Sequence, residues 1–448
     1  MTNDSKINRS LSRRNFLSQS AAASVASLTF AESAKAKNRA NQTIVRLERS
    51  LEDSARTESV WQHIASQYDV TDQITNLENG YWGIMARPVL DEYKQQTEWV
   101  NNNNTYFARR ELGNTFDAIR EKVAAFLNVS VDEIELTRGA TETLQALIGG
   151  YNKLNAGDTV MYADLDYSEM KNAMRWLEDR RSVNVIKINF PEPTKSEPLT
   201  EDQIVDFYER SLNANPGTKL LLLTHLNNWT GLIIPVAKIS AMAKARGVDV
   251  ILDAAHSVGQ VDFDIKSLGC NFVGVNLHKW VGAPIGCGVI YIQKDHISDI
   301  DTYMGKSPDS KSISARIDTG TWNFAAHMTI PKALEFHNLI GTAQKEARVR
   351  YLRSLWVNEI RGKKGITILT PDDPQMVAGL TSFRIDGVTS TQANNALMRK
   401  LADEYGVLTT RRTGPHAGDC IRVTPSFYNT PKDMRKLVAA LNSILADI

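Results

Sequence analysis

The chain has 448 residues, 42% of them hydrophobic and 23% charged, and a formal net charge of +1. That length exceeds one ordinary core and suits two domains of a soluble globular protein. The near-zero charge removes the electrostatic case for nucleic acid or a membrane surface as partner. Its three cysteines, Cys270, Cys287 and Cys420, make neither a disulfide framework nor a C-x-x-C zinc pair. Cys270 and Cys287 lie in apolar, strand-like runs, which assigns them to packing.

The first forty residues stand apart. Ser12-Arg13-Arg14-Asn15-Phe16-Leu17 precedes the weakly apolar Ala21–Phe30 and then Ala34-Lys35-Ala36. This resembles a twin-arginine (Tat) export signal with cleavage after Ala36. It predicts the Tat machinery as a partner and a periplasmic or exported protein. The apolar run is too short to serve as a permanent membrane anchor.

Asn41–Tyr68 reads as an exposed, amphipathic helical entry. In Leu77-Glu78-Asn79-Gly80-Tyr81-Trp82-Gly83 two glycines flank two aromatics. Glycine allows close backbone approach to a ligand, so Tyr81 and Trp82 either wall a substrate pocket or belong to a plain turn. Asn101–Leu112 holds four asparagines and then Arg109-Arg110; it reads as a solvated loop or as an approach for an anionic substrate.

From Asn114 the pattern alternates helix and strand, the mark of an α/β fold. A helix is predicted over Thr115–Leu127 and a strand over Glu133–Thr137. A small-residue turn, Arg138–Thr143, then leads into a helical run from Leu144. Strand, turn and helix N-terminus together make an anion site, because free N–H groups and the helix dipole favour a phosphate. Asp158–Ala163 is the next strand, closed by Asp164-Leu165-Asp166-Tyr167. Lys219–Thr224 is strongly apolar and runs into His225–Gly231. Val248–His256 is a buried-type strand ending in Asp253, two alanines and His256. Phe272–Leu277 is another, with His278 and Lys279 at its end and a Gly/Pro turn before Val289–Ile292.

A lysine at the end of a buried strand enters a crevice rather than open solvent. Burial and positive neighbours lower its pKa, and only the neutral amine forms an imine. Beyond residue 300 come Arg316–Asn323 and a long helical stretch opened by Pro331. Short strands follow at Gly379–Ile385, Val407–Thr410 and Cys420–Thr424, with helices near Thr391–Glu404 and Pro431–Ala446. In the last motif, Arg422–Thr430, the arginine alone reads either as a structural strand residue or as a guanidinium fork suited to a planar carboxylate.

D-A-A-H at 253–256 followed by N-L-H-K at 276–279 resembles the class V aminotransferase family of fold-type I enzymes. Its members include isopenicillin N epimerase-like proteins, cysteine desulfurases and kynureninase. The resemblance covers roughly residues 70–445. It implies pyridoxal 5′-phosphate as cofactor and an α/β large domain with a mostly parallel seven-stranded sheet, joined to a smaller α+β C-terminal domain. The divisions expected are 1–36 signal, 37–90 N-terminal segment, 91–325 large domain and 326–448 small domain.

Residue by residue, the resemblance implies Lys279 as the cofactor-linking catalytic lysine and Asp253 as the partner of the ring nitrogen. Ala140 and Thr141 would contact the phosphate. Tyr167 would stack on the ring where the family often has histidine. Asn228 and His256 would meet the phenolic oxygen. Asn276 replaces a phosphate-binding hydroxyl but still donates, and His278 precedes the lysine. Thr321 would reach the other subunit's phosphate in a homodimer, and Arg422 would clamp the substrate's α-carboxylate beside Tyr81 and Trp82. The implied activity is transamination or epimerisation at the amino group of an amino acid or peptide-borne amino acid. An exported member is similar to periplasmic enzymes that tailor the siderophore pyoverdine. The alternatives are a C–S or C–C lyase, desulfurase- or kynureninase-like, and a non-catalytic ligand-binding protein. A desulfurase is disfavoured, since Ala417 stands where its thiol would be expected.

Overall fold

The computed structural model describes residues 51–191, 199–304, 306–318, 320–413 and 415–447. The expected export signal and its cleavage site lie outside the described residues.

Seven strands form the central sheet: β1 (Ile134–Thr137), β2 (Thr159–Ala163), β3 (Asn184–Ile188), β4 (Thr218–Thr224), β5 (Asp249–Asp253), β6 (Phe272–Asn276) and β7 (Gly288–Ile292). Their spatial order is β3-β2-β4-β5-β6-β7-β1. Only β7 breaks the parallel pattern, running antiparallel to both β6 and β1. Every residue of β1, β2, β6 and β7 is buried, as expected for a sheet covered on both faces by crossover helices. The sheet is therefore a rigid platform whose carboxyl ends carry the loops of interest.

Four helices matter below: α1 (Arg87–Arg110), α2 (Ala140–Gly150), α3 (Ser168–Arg181) and α4 (Thr342–Ile360). Leu144, Leu147 and Ile148 of α2 pack against Phe272, Ile290 and Ile292 of the sheet. Each such side chain contributes about 1.5–3 kcal/mol when fully buried.

The smaller C-terminal domain holds an antiparallel sheet of β8 (Ile366–Ile368), β9 (Thr381–Ile385), β10 (Thr410–Arg412) and β11 (Cys420–Val423), in the order β10-β11-β9-β8. Its core joins Trp356 and Ile360 of α4 to Phe383, Ile421 and Leu441. The N-terminal segment adds to this domain. Thr75–Asn76 pairs in parallel with Val407–Leu408, and Glu78 bridges Thr424.

Several expectations change. The entry at 51–65 is helical and amphipathic, exposed at Glu52, Gln62 and His63, but its other face is built into the protein: Val60, Trp61 and Ile64 are buried, and buried Arg348 of α4 grips the Glu58 carboxylate at 2.6 and 3.1 Å. The tract 101–110 is no loop, because α1 runs through it. Asparagine is a poor helix former, yet buried Val89 and Phe107 hold the two ends of the helix. Local preference is expressed only at Asn104, whose φ of 46° kinks the helix. Arg109 and Arg110 finish it, exposed, where cations favour the dipole. Helix α3 and edge strand β3 went unread, and β3 shows why: its burial pattern is largely exposed or intermediate, without the apolar run of a central strand.

Candidate active site

The carboxyl ends of β1, β4, β5 and β6 deliver most of the expected groups to one place. Asp253 is the last residue of β5 and is buried. Its Oδ1 accepts the Ala255 amide at 2.9 Å. Burial pushes its carboxyl above the usual range, while the Ala255 amide and Lys279 pull it back. Lys279 lies three residues past β6, and its Nζ sits 2.9 Å from Nε2 of His256. Burial lowers the amine to about 8; Arg422 and Arg412 push the same way, and Asp253 and Glu78 oppose them. A fair fraction of Lys279 is thus neutral near physiological pH, the form a nucleophile or base requires.

The two histidines are held neutral by burial, His278 at about 4 and His256 well below its ordinary value. Nδ1 of His278 donates to the Cys287 carbonyl at 3.0 Å, which leaves its Nε2 as an acceptor. When Lys279 is charged it donates to Nε2 of His256. That places the His256 proton on Nδ1, where no partner meets it among the described residues.

The turn after β1 delivers helix α2, whose N-cap Gly139 makes no side-chain cap. Here one expectation shifts. Asn276 turns its Oδ1 to the Ala140 amide at 2.7 Å, so one N–H of the anticipated phosphate cup is already taken. A serine or threonine hydroxyl could rotate to serve a phosphate, but the longer asparagine reaches the helix end itself. Ala140 is buried and Thr141 exposed at the same turn.

Tyr167 caps the start of α3 and is 36% exposed. Burial raises its phenol, and Asp253 is among the charges that add to this, which places the ring near the carboxylate. Asn228 is buried; its backbone carbonyl accepts Arg422, and its side-chain Oδ1 has no partner among the described residues. Tyr81 and Trp82 are 70% and 48% exposed and meet edge to face at 4.9 Å. Thr321 is exposed. Its segment is held beside its own chain's β1–α2 turn, where Asp318 pairs with Arg138 at 2.8 Å.

Residues 77–83 seat the site in a way sequence reasoning missed. The Gly83 amide donates to the His278 carbonyl at 2.8 Å, and a Cβ on Gly83 would lie 1.9 Å from the Lys279 carbonyl oxygen. Only glycine lets the strand of chain lie this close to the lysine's backbone. Asn79 donates to the Thr424 carbonyl and to Asn429, and accepts Tyr428.

The arginine expected to clamp a substrate is already engaged. Arg422 is fully buried, and its Nη2 lies 2.6 and 2.8 Å from the two oxygens of Glu78. Glu78 lies in the Leu77–Gly83 motif, but nothing local to it signals a partner 344 residues away.

The residues present fit pyridoxal phosphate. An amine lowered to about 8, a buried carboxylate and a helix N-terminus lie at the carboxyl ends of the sheet, and Asn228 Oδ1 and His256 Nδ1 are buried polar atoms without partners among the described residues. Burying such atoms unpaired costs free energy that a polar ligand recovers. A cavity of about 360 Å³ elsewhere, lined by Phe126, Asn128, Val258, Phe263 and Asp264, holds none of these groups.

Comparison with known proteins agrees. The aminotransferase class-V family model matches residues 84–437, well over half of the chain. The chain belongs to the aminotransferase class-V family. Pyridoxal phosphate is that family's cofactor. The isopenicillin N epimerase of Amycolatopsis lactamdurans is 24% identical over 86% of this chain and 99% of its own length. A cysteine desulfurase of Serratia proteamaculans is 27% identical over 74% and 80%. In structure, the cysteine desulfurase CsdA of Escherichia coli superposes with a TM-score of 0.72 at 21% identity, over 87% of this chain and 99% of that one. The shared fold is the fold-type I α/β architecture. The class-V match begins at residue 84, so the Glu78–Gly83 segment lies ahead of it.

Proposed function

We propose that the protein is a pyridoxal phosphate-dependent enzyme that acts on the amino group of an amino acid or a peptide-borne amino acid, by transamination or epimerisation. The observation that carries this reading is the Lys279 amine, lowered to about 8, beside His256 and Asp253 at the carboxyl ends of β5 and β6. When bound, the cofactor supplies an electron-withdrawing ring that eases bond breaking at the substrate's α-carbon. Asp253, charged within a buried site, holds the ring-nitrogen proton. Lys279 takes a proton and returns it, a role worth typically 10²–10⁴-fold. His256 fixes the direction of that amine. Tyr167, its phenol raised by burial, stacks rather than shuttles protons at neutral pH.

The family's epimerases and desulfurases divide on a thiol. Cys270, Cys287 and Cys420 are all buried, and burial pushes the Cys270 thiol up to about 12. Such thiols are inert, which favours the amino-group reading over a desulfurase. By analogy, two copies pair so that Thr321 of each reaches the other's phosphate, and the protein is exported through Arg13 and Arg14. Replacing both arginines by lysine should hold the precursor in the cytoplasm; normal export of that variant would remove the Tat assignment.

The deciding experiment incubates the cofactor-loaded protein with amino acids and short peptides in deuterated water and follows products by mass spectrometry. Loss of the amine marks transamination, inverted configuration on chiral separation of a product that keeps its amine and carries α-deuterium marks epimerisation, and carbon or sulfur fragments mark a lyase. A chain that gives no cofactor absorbance in excess pyridoxal phosphate would be a binding scaffold instead.

A further inference from the structure

Two arginines converge on one carboxylate beside Lys279. Thr410 pairs with Arg422 and Arg412 with Cys420 across β10 and β11, and alternation along a strand therefore puts Arg412 and Arg422 on the same face. Their surroundings differ. Arg422 has no exposure, and it spends Nη2 on both Glu78 oxygens and Nη1 on the Asn228 carbonyl at 2.8 Å. A Cβ on Gly80 would lie 2.6 Å from Nη2 of Arg422, so backbone packs directly against the guanidinium. Glu78 itself is fixed: its amide donates to Asn76 at 2.8 Å, it bridges Thr424, and its neighbour Asn79 is bonded to Thr424 and Asn429. Pulling Glu78 away would leave a buried guanidinium without its carboxylate, which is strongly unfavourable.

Arg412 is the looser partner. It touches Glu78 only at 3.4 Å and its side chain is 21% exposed; the Nε of each arginine lacks a partner among the described residues, so the looser contact and the exposure are what separate them. It lies near Tyr167 and Lys279, each of which feels its charge. Two guanidiniums against one carboxylate leave one positive charge unmatched, and the group with the longer contact and solvent access carries it.

We propose that Arg412, not Arg422, holds the substrate's carboxylate, and that the Glu78–Arg422 pair is a fixed internal element that positions it. The inference rests on the reading of the site as a pyridoxal phosphate centre. Glu78 acts as a specificity determinant: it occupies the deeper fork, so a carboxylate-bearing substrate is read from the exposed side of the site. A substrate attached to a larger molecule is then admitted with its carboxylate near the mouth.

The test uses the cofactor-loaded protein and two aminooxy reagents that attack the bound aldehyde whatever the natural substrate. Aminooxyacetate carries a carboxylate; O-ethylhydroxylamine has the same nucleophile without it. The rate ratio of the two, followed by absorbance, reads the carboxylate site alone. Wild type should favour aminooxyacetate, and Arg412→Ala should reduce that ratio by about tenfold or more, the measure of a charge-assisted hydrogen bond. The O-ethylhydroxylamine rate should stay within a few-fold. If Arg412→Ala fails to hold cofactor, Arg412→Lys decides, with a smaller fall expected because an ammonium lacks the fork. A wild-type ratio that survives these changes, or no preference in wild type, overturns the proposal. A wild-type protein whose cofactor shows no reaction with either reagent overturns the functional reading instead.

Discussion

Two lysines in this molecule have nearly the same credentials. Lys279 has its amine 2.9 Å from a ring nitrogen of His256, and Lys345 of α4 has its amine 2.7 Å from a ring nitrogen of His337. Burial lowers both, to about 8 and about 7. Lys345 even donates to the carbonyl of Trp280, the residue after Lys279, at 3.4 Å. The difference is in what surrounds them. Lys345 is closed in by the Phe427 ring at 4.6 Å, and burial is the sole cause of its shift. Lys279 instead answers to Asp253, Glu78, Arg412 and Arg422 at once. A depressed lysine pKa therefore does not by itself locate chemistry; the convergence of charges on the amine does.

Exchanging each lysine for methionine is the strongest way to break this comparison. Lys279→Met should cut turnover by on the order of 10²–10⁴-fold or more, the range of a lost general base. Lys345→Met should leave turnover within a few-fold in protein that retains cofactor. Equal losses from the two changes would place Lys345 inside the site.

Asp253→Asn asks whether charge around Lys279 is what matters. It removes a charge-assisted interaction, and turnover at saturating cofactor should fall by about 10- to 100-fold. Normal turnover would mean that this carboxylate does not face the ring nitrogen.

The two amines should also separate by pH. Cofactor capture by the apoprotein needs neutral Lys279, so its rate should climb with a midpoint near 8; a midpoint near 10.5, the ordinary value for lysine, would deny the burial effect. The smallest effect is on stability. The folded pKa of Lys345 lies below its unfolded value, so the unfolded chain binds more protons between the two. Wild-type stability attributable to Lys345 should accordingly rise as pH climbs from about 7 to 10.5. Lys345→Met should raise the melting temperature by a few degrees at pH 6, with the gain vanishing at the alkaline end. A gain that does not depend on pH would trace to packing rather than to the buried charge.

What could be read from the sequence was what neighbours in the chain decide. The apolar runs at β4, β5 and β6 announce buried strands, and the residues that end them, Asp253 and Lys279, follow from simple proximity to those ends. Small residues after β1 likewise announce the α2 N-terminus. What escaped reading depends on partners far along the chain. Glu78 has no local feature that marks it as Arg422's partner, and Asn276 gives no sign that it will take the Ala140 amide. Helix α1 shows the same rule in reverse: packing of Val89 and Phe107 overrides four asparagines whose own preference is for turns. The first 50 residues carry the export expectation on sequence alone.

The Glu78–Arg422 contact also bears on the order in which the chain acquires its shape. It closes a separation of 344 residues, and entropy disfavours closing so long a loop early. The central sheet, with Asp253 and Lys279 in place, needs nothing beyond β7. Residues 75–83 are different: Thr75–Asn76 pairs with Val407–Leu408 and Glu78 bridges Thr424, so these anchors exist only once the last quarter of the chain is in place. A chain stopped before residue 406 would thus hold its lysine on a finished platform, with the overlying segment missing its anchors at Val407–Leu408 and Thr424. Such a chain would be cofactor-reactive yet unselective, whereas selectivity comes only with the last strands to arrive.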